Sequence, residues 1–306
     1  MKILIIGNIT IDHSYEIDHL PRPGETILAM SQMTDIGGKG LNQAIVAKRA
    51  GASIIFRSKI GNESDNSLIY KRLGLEGIDP ADLLVGDGET DDSLIFLSKM
   101  GENCIVSTKT MAQSIEIEDV NGYIDKLMPN DILLMQGNLT RKTTEYCIKA
   151  GHSLGVKVVV NPAPIEFEYN DLYSYIDFMI VNEVESQILT GETNPQIATK
   201  FFLQKNVKNV LVTIGEKGAL LVTNKTGLVH IPAMKVRAVD TTGAGDVFVG
   251  TFCAGLATGL SHEMACAWAV NAASLSVTRR GTFSSFPNQL ELNQLINKVK
   301  NNNERT

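Results

Sequence analysis

The chain has 306 residues, of which 43% are hydrophobic and 20% charged, so it can bury a sizeable core and is neither disordered nor collagen-like in composition. Its 28 Lys and Arg against 34 Asp and Glu give a net charge of −6, which leaves no global positive field for nucleic acid or anionic lipid; neither is expected as a partner. An anionic ligand must then be met locally, by backbone N–H groups, a metal ion or a few placed cations.

The N-terminal MKILIIGN carries a five-residue apolar run ending at Gly7. That is shorter than a signal-peptide core of roughly 7–15 residues, so Ile3–Ile6 reads as a buried first strand and a cytoplasmic location is expected. Short β-branched runs follow at Ser53–Phe56, Ile132–Met135, Val156–Val160, Phe178–Val181 and Val210–Ile214, continuous apolar stretches of the kind buried on both faces. Between them, apolar residues recur at helical spacing in Leu41–Arg49, Asn66–Leu73, Glu118–Leu127, Lys142–Ser153, Glu183–Leu189 and Pro195–Gln204. This alternation predicts an α/β fold with a mainly parallel sheet covered by helices. After a predicted hairpin, Gly218–Val222 with Leu228–Ile231, come Ala-rich helices near Asp246–Ala257 and Glu263–Val277. A last helix is expected at Asn288–Val299, before a tail, NNNERT, that should fray.

Two places break the alternation. Ile11–Ile17 with Thr26–Thr34, and Asp92–Ser98 with Cys104–Thr108, mix polar and apolar residues around Pro21, Pro23, Gly24 and Gly101, as antiparallel ribbons do. They predict a small sheet over one edge of a single domain spanning 1–306, a lid of about residues 11–34 and 91–108 that would keep water from a transfer reaction. The four cysteines, Cys104, Cys147, Cys253 and Cys266, form no CxxC pair, so buried reduced thiols are expected rather than disulfides or zinc ligands.

The most informative stretch is Asp240-Thr241-Thr242-Gly243-Ala244-Gly245-Asp246, ahead of the helical VFVGTFCAGLATG. Gly243, Ala244 and Gly245 let a backbone approach closely, and the unsatisfied N–H groups of a first helical turn form an anion cradle suited to phosphate. Asp246 would repel that guest, and makes sense there as the base that takes a proton from an attacking hydroxyl. Acids are also favoured in first turns by the helix dipole alone. A second glycine-rich helix start, Gly37-Gly38-Lys39-Gly40-Leu41-Asn42, offers amides, Lys39 and Asn42 to a polyhydroxylated substrate. It is not a Walker A loop, because Met33 and Gly40 stand where that pattern needs Gly and Ser or Thr.

Asp12, Asn138, Asn161, Asn182 and Gly215 all follow strand candidates, where open α/β sheets bind ligands. Asn182-Glu183-Val184-Glu185 offers oxygens to a hydrated Mg²⁺, and reads equally as a capping box with Asn182 as N-cap. Cys266 stands where the HExxH begun at His262 needs its second His, and no GxSxG occurs, so neither a zinc hydrolase nor a serine hydrolase is expected.

With GGKGLNQA (Gly37–Ala44), NPAP (Asn161–Pro164), NEVE (Asn182–Glu185), TIGEKGA (Thr213–Ala219), DTTGAGD (Asp240–Asp246) and VTRRG (Val277–Gly281), the chain resembles the ribokinase family, the PfkB-type carbohydrate kinases, from Gly7 to about Pro287. The resemblance implies a ribokinase-like three-layer α/β/α core with a small β-sheet lid. It implies ATP- and Mg²⁺-dependent phosphorylation of a hydroxymethyl group on a pentose, hexose or related sugar, and often a homodimer formed through the lid. By the same resemblance Asp246 is the base, and the amides of Gly243, Ala244 and Gly245 stabilise the transferred phosphoryl group. Asp12, Gly38, Lys39 and Asn42 match sugar-binding positions, joined by Asn138. Asn182 and Glu185 match the phosphate and Mg²⁺ contacts, Glu185 acting through water; Thr213, Gly215 and Gly218 match the nucleotide loop, and Asn271 the adenine pocket. Asp240, Thr242, Gly281 and Ser285 match positions that surround a monovalent cation in members activated by K⁺.

Two departures bear on the substrate. Thr10 stands where ribokinases usually have Asn, and Asn138 where they have Glu, so the polar pattern shown to sugar hydroxyls is changed and points away from ribose itself. A nucleoside kinase on the same scaffold is the alternative within the enzymes. A non-catalytic sugar- or nucleotide-binding regulator is the reading outside them, and it would be marked by loss of the acid or the glycines, all of which this chain keeps.

Overall fold

The apolar runs form strands whose alternate side chains enter two separate cores, as the period of two requires. Ile3 and Ile5 of β1 (Lys2–Ile6) join one core, while Leu4 and Ile6 join the other. A computed structural model of the chain describes residues 1–63, 66–99, 103–223 and 227–303. After β1 come β2 (Thr10–Ile17), β3 (Ser31–Gly37), α1 (Lys39–Arg49), β4 (Ser53–Ile60), α2 (Ser67–Glu76), β5 (Leu83–Val85), β6 (Asp92–Ser98), β7 (Asn103–Ser107), α3 (Thr110–Gln113), α4 (Ile117–Ile124) and β8 (Ile132–Gln136). The second half holds α5 (Arg141–Ser153), β9 (Lys157–Asn161), β10 (Phe178–Asn182), α6 (Glu183–Thr190), α7 (Pro195–Gln204), β11 (Asn209–Thr213), β12 (Ala219–Thr223), β13 (Gly227–Ile231), α8 (Ala244–Ala257), α9 (His262–Ser276) and α10 (Gln289–Asn303).

Nine strands form one sheet in the order β13-β12-β11-β10-β9-β8-β1-β4-β5. From β11 to β5 every pairing is parallel, and β12 and β13 extend the sheet by antiparallel pairing. Residues of α1, α2, α8, α9 and α10 pack in one core and residues of α4, α5 and α7 in the other, giving the expected three layers. Among the described residues no helix is long and apolar enough to cross a membrane.

The two expected ribbons exist and join through β2 and β6, which pair in parallel, into a separate four-stranded sheet in the order β3-β2-β6-β7. Its second expected strand is corrected: it runs over Ser31–Gly37 rather than Thr26–Thr34. The register from Thr10↔Gly37 to Glu16↔Ser31 puts Pro21, Pro23 and Gly24 in the connecting loop, where Pro has no N–H to lose from a ladder. That register also ends β3 directly at the glycine pair that opens α1. The turn residue Gly101 and the last three residues of the NNNERT tail lie outside the described residues; the first three tail residues continue α10. The cysteines are all free, with Cys147, Cys253 and Cys266 buried and their thiols pushed upward by burial, while Cys104 is exposed on β7, against expectation.

Candidate active site

The sheet register lines up polar residues at the carboxyl ends of adjacent strands. Gln136 pairs with Asn161 across β8 and β9, and Asn182 pairs with Thr213 across β10 and β11. Two helix starts converge on this edge. Gly38, at φ 97°, caps α1, where a Cβ would lie 2.7 Å from the Asn8 carbonyl oxygen; the position requires glycine on both counts. Gly243, at φ 75°, caps α8 in the same left-handed region. One turn beyond Asp246, a Cβ on Gly250 would meet the Gln43 carbonyl oxygen at 2.7 Å, so this glycine lets α8 lie close along α1. That approach brings Asp246 against α1.

Asp246 is 5% exposed, and both of its oxygens accept hydrogen bonds from side-chain amides. Asn42 Nδ2 donates to Oδ2 at 2.9 Å, and Gln43 Nε2 donates to Oδ1 at 2.9 Å. Lys39 Nζ lies 4.0 Å from Oδ1. The two amide donors leave each carboxylate oxygen with acceptor capacity to spare. Asp246 lines a cavity of about 240 Å³ together with Lys39, Asn161, Asn182, Glu185, Thr213, Thr242, Gly243 and Gly245, and Ile105 of the small sheet closes one side.

At its far wall the Asn182 side chain accepts the Glu185 N–H at 2.7 Å, and Glu185 Oε2 accepts the Asn182 N–H at 2.9 Å, a capping box at the start of α6. Burial raises the Glu185 carboxyl above its ordinary value, opposed by the Asn182 N–H and the Lys39 charge. The helix-cap reading of NEVE is thus met, and both Asn182 and Glu185 also line the cavity.

A second cavity of about 570 Å³ lies between the small sheet and the loops around Asp240 and Gly281, and Thr242 borders both. Asp12 lines it, 9% exposed, with Thr10 Oγ1 donating to Oδ1 at 2.6 Å. A Cβ on Gly37 would fall 2.0 Å from Asp12 Oδ2, so the first glycine of the pair makes room for this acid. Burial is the largest influence on Asp12 and pushes its carboxyl up to about 6. Asp240 ties the loops together: its oxygens accept the N–H groups of Thr242 at 2.9 Å and Gly281 at 3.0 Å. Ser285, also buried, donates to the Thr282 carbonyl, and the Thr242 hydroxyl is buried without a hydrogen-bond partner.

The remaining expected residues stand apart. Gly215 and Gly218 flank the turn after β11, where a Cβ on Gly218 would strike the Ile231 carbonyl at 2.0 Å, and Asn271 is half-buried on α9; none of the three lines either cavity. Asn138 sits just past β8 with its Oδ1 buried and unpartnered, and also lines neither cavity. Gln43 and Gln136 were not expected as site residues, yet Gln43 touches Asp246 directly; Asn161, singled out for its place at the carboxyl end of a strand, lines the Asp246 cavity. Gln43 lies inside GGKGLNQA one residue after Asn42, and only the helix rotation reveals that both amides face α8. A groove along α5 carries Arg141, Lys142 and Lys149, but each is paired with an acid, Asp171, Glu116 or Glu145. Among the described residues no group of three or more His, Cys, Asp and Glu side chains is arranged to hold a metal ion.

Known proteins match this chain over nearly its full length. The profile described as pfkB family carbohydrate kinase matches residues 1–289. A ribokinase of Haemophilus influenzae is 34% identical over 295 residues, covering 94% of this chain and 96% of its own. A deoxyribokinase of Salmonella typhi is 32% identical, covering 97% and 99%. Among solved structures, an Arabidopsis thaliana ribokinase complexed with ribose and ATP superposes with a TM-score of 0.84 at 27% identity, covering 96% of this chain and 98% of that one. The chain belongs to the pfkB family of carbohydrate kinases as an ATP-dependent sugar kinase.

Proposed function

We propose that the enzyme transfers the γ-phosphate of ATP to a primary hydroxyl of a pentose or closely related sugar, with Asp246 as the base. The observation that carries this reading is the buried Asp246 carboxylate, held by Asn42 and Gln43 at the first turn of α8, where Gly243 and Gly245 line the same cavity. Asp246 takes the hydroxyl proton as the oxygen attacks phosphorus. The amides of Gly243 and Gly245, with Lys39, stabilise charge on the transferred group; the Ala244 N–H, expected to join them, instead donates to the Thr241 carbonyl at 3.2 Å. Closure of the small sheet over this cavity would keep out water that otherwise competes with the sugar.

Asp12, Gly38, Lys39 and Asn42 are the proposed sugar contacts. The Thr10 hydroxyl is spent on Asp12, so it offers the sugar no donor of the kind an Asn would. Thr213, Gly215, Gly218 and Asn271 are the proposed nucleotide contacts. The residues present fit Mg²⁺: Glu185 keeps one oxygen in the capping box and presents its side chain to the phosphate cavity, from where it would hold the hydrated ion with Asn182. Bound there, Mg²⁺ would neutralise phosphate charge. For K⁺ the unpartnered Thr242 hydroxyl is the fitting oxygen, while the Asp240 carboxylate is already engaged by two N–H groups and would contribute charge.

The small sheet is the proposed lid and the proposed dimer surface. Its cross-strand neighbours Leu94 and Val106 are 38% and 60% exposed, an apolar pair that a second copy would cover. A cytoplasmic location accords with four free thiols.

The test is ATP consumption against ribose, 2-deoxyribose, hexoses, amino sugars and nucleosides, with Mg²⁺ and with or without K⁺, the product being located by phosphorus NMR. A primary phosphate ester on a free pentose is expected. Turnover confined to nucleosides, or phosphate on a secondary hydroxyl, overturns the substrate reading.

A further inference from the structure

Gln43 and Gln136 line neither cavity, yet they form a buried chain of amides that ends on Asp246. Gln43 is fully buried on α1, and Gln136, at the end of β8, is 1% exposed. Gln43 Nε2 donates both to Asp246 Oδ1 at 2.9 Å and to Asn161 Oδ1 at 3.1 Å; its Oε1 accepts from Gln136 Nε2 at 2.8 Å. The orientations are forced from the far end. Asn161 Nδ2 donates to the Ile180 carbonyl at 3.0 Å, a group that can only accept, so Asn161 must turn its oxygen to Gln43. Gln43 must then present its N–H₂ to Asn161 and Asp246 and its oxygen to Gln136.

Core packing does not account for this pair. Gln136 Oε1 is buried with no hydrogen-bond partner, a penalty that an apolar residue of equal volume would avoid. Space is also kept for it: a Cβ on Gly7 would lie 2.0 Å from that oxygen. We propose that Gln43 and Gln136 are positioning residues, an amide relay that fixes the rotation of the Asp246 carboxylate and holds its base form ready for the sugar hydroxyl. This rests on Asp246 being the base. Asn42 secures one carboxylate oxygen and Gln43 the other, so each keeps acceptor capacity for the cavity. The other charges that Asp246 faces are Lys39 at 4.0 Å and, through space, the carboxylates of Asp12 and Glu185.

The test follows the Asp246 carboxyl by carbon-13 NMR in aspartate-labelled protein, its resonance assigned by its absence from Asp246→Asn. Removing a donor from a carboxylate raises its titration midpoint, so Gln43→Met is expected to move Asp246 upward by about one pH unit. Gln136→Met leaves every direct contact of Asp246 in place and keeps the test alive if Gln43→Met does not fold; it should move the midpoint in the same direction by less. The acid limb of turnover should follow in both variants, with KM for ATP unchanged. A folded variant with a lowered Tm but an unmoved midpoint overturns the positioning role and leaves a packing one. Near-normal turnover in Asp246→Asn would instead overturn the base assignment, so the two failures are distinguishable.

Discussion

Asp12→Asn should make this enzyme more stable while it weakens sugar binding. Asp12 is 9% exposed, and burial, the largest influence, lifts its carboxyl from 3.8 to about 6; hydrogen bonds from Thr10 and Ser93 oppose the rise, and the charges of Asp35 and Asp246 add to it. An acid raised in the folded state binds its proton more tightly there than in the unfolded chain. Its destabilisation is therefore absent below about 4, grows as pH climbs to about 6 and is complete above that. A rise of roughly two units corresponds to about 3 kcal/mol at full ionisation. Asn keeps an acceptor for the Thr10 hydroxyl and removes the charge. Urea denaturation of both proteins from pH 4 to pH 8 should show the variant ahead by up to about 3 kcal/mol at the upper end, with the charge-dependent part of the gap gone at the lower end. A gap that does not change with pH, or a variant less stable than the parent at pH 8, refutes the reasoning.

Three other perturbations follow from the geometry. Arg49 grips Glu76 through two bonds, at 2.8 and 2.6 Å, and also donates to the Phe286 carbonyl, so Arg49→Leu leaves a half-buried acid unpaired and should cost about 2 kcal/mol in urea denaturation. Gly37→Ala places a methyl group on Asp12 and should raise the sugar KM about tenfold or more, with the ATP KM unchanged; equal KM values for both proteins would show that Asp12 can move aside. Glu185→Gln retains a capping-box side chain but loses the charge, and is expected to raise the Mg²⁺ concentration for half-maximal turnover by roughly 10–100-fold; an unaltered requirement would place the ion elsewhere.

The layers were legible because continuous apolar runs such as KILII and ILLMQ announce strands buried on both faces, and each enters two cores as that pattern demands. The small sheet was legible in kind but not in register. Thr26–Thr34 looks no less strand-like than Ser31–Gly37, and only the partner strand and the prolines decide between them. β5 and α3, three and four residues long, are too short to show a period. In the candidate site, DTTGAGD and GGKGLNQA marked the two helix starts that meet at Asp246, because glycines and an acid at a helix start are chemically conspicuous. Gln43 and Gln136 are 93 residues apart and chemically bland, and their partnership exists only through the strand–helix packing that Gly7 and Gly250 permit.

The most direct test of the whole reading is turnover of Asp246→Asn beside the parent, with ATP binding measured on the same samples by calorimetry. Loss of turnover by about 10²–10⁴ with ATP affinity little changed is the expected result, since Asn cannot accept the hydroxyl proton. Turnover within a few-fold of the parent, with the fold intact, would remove Asp246 from the reaction and with it the assignment of the cavity around it.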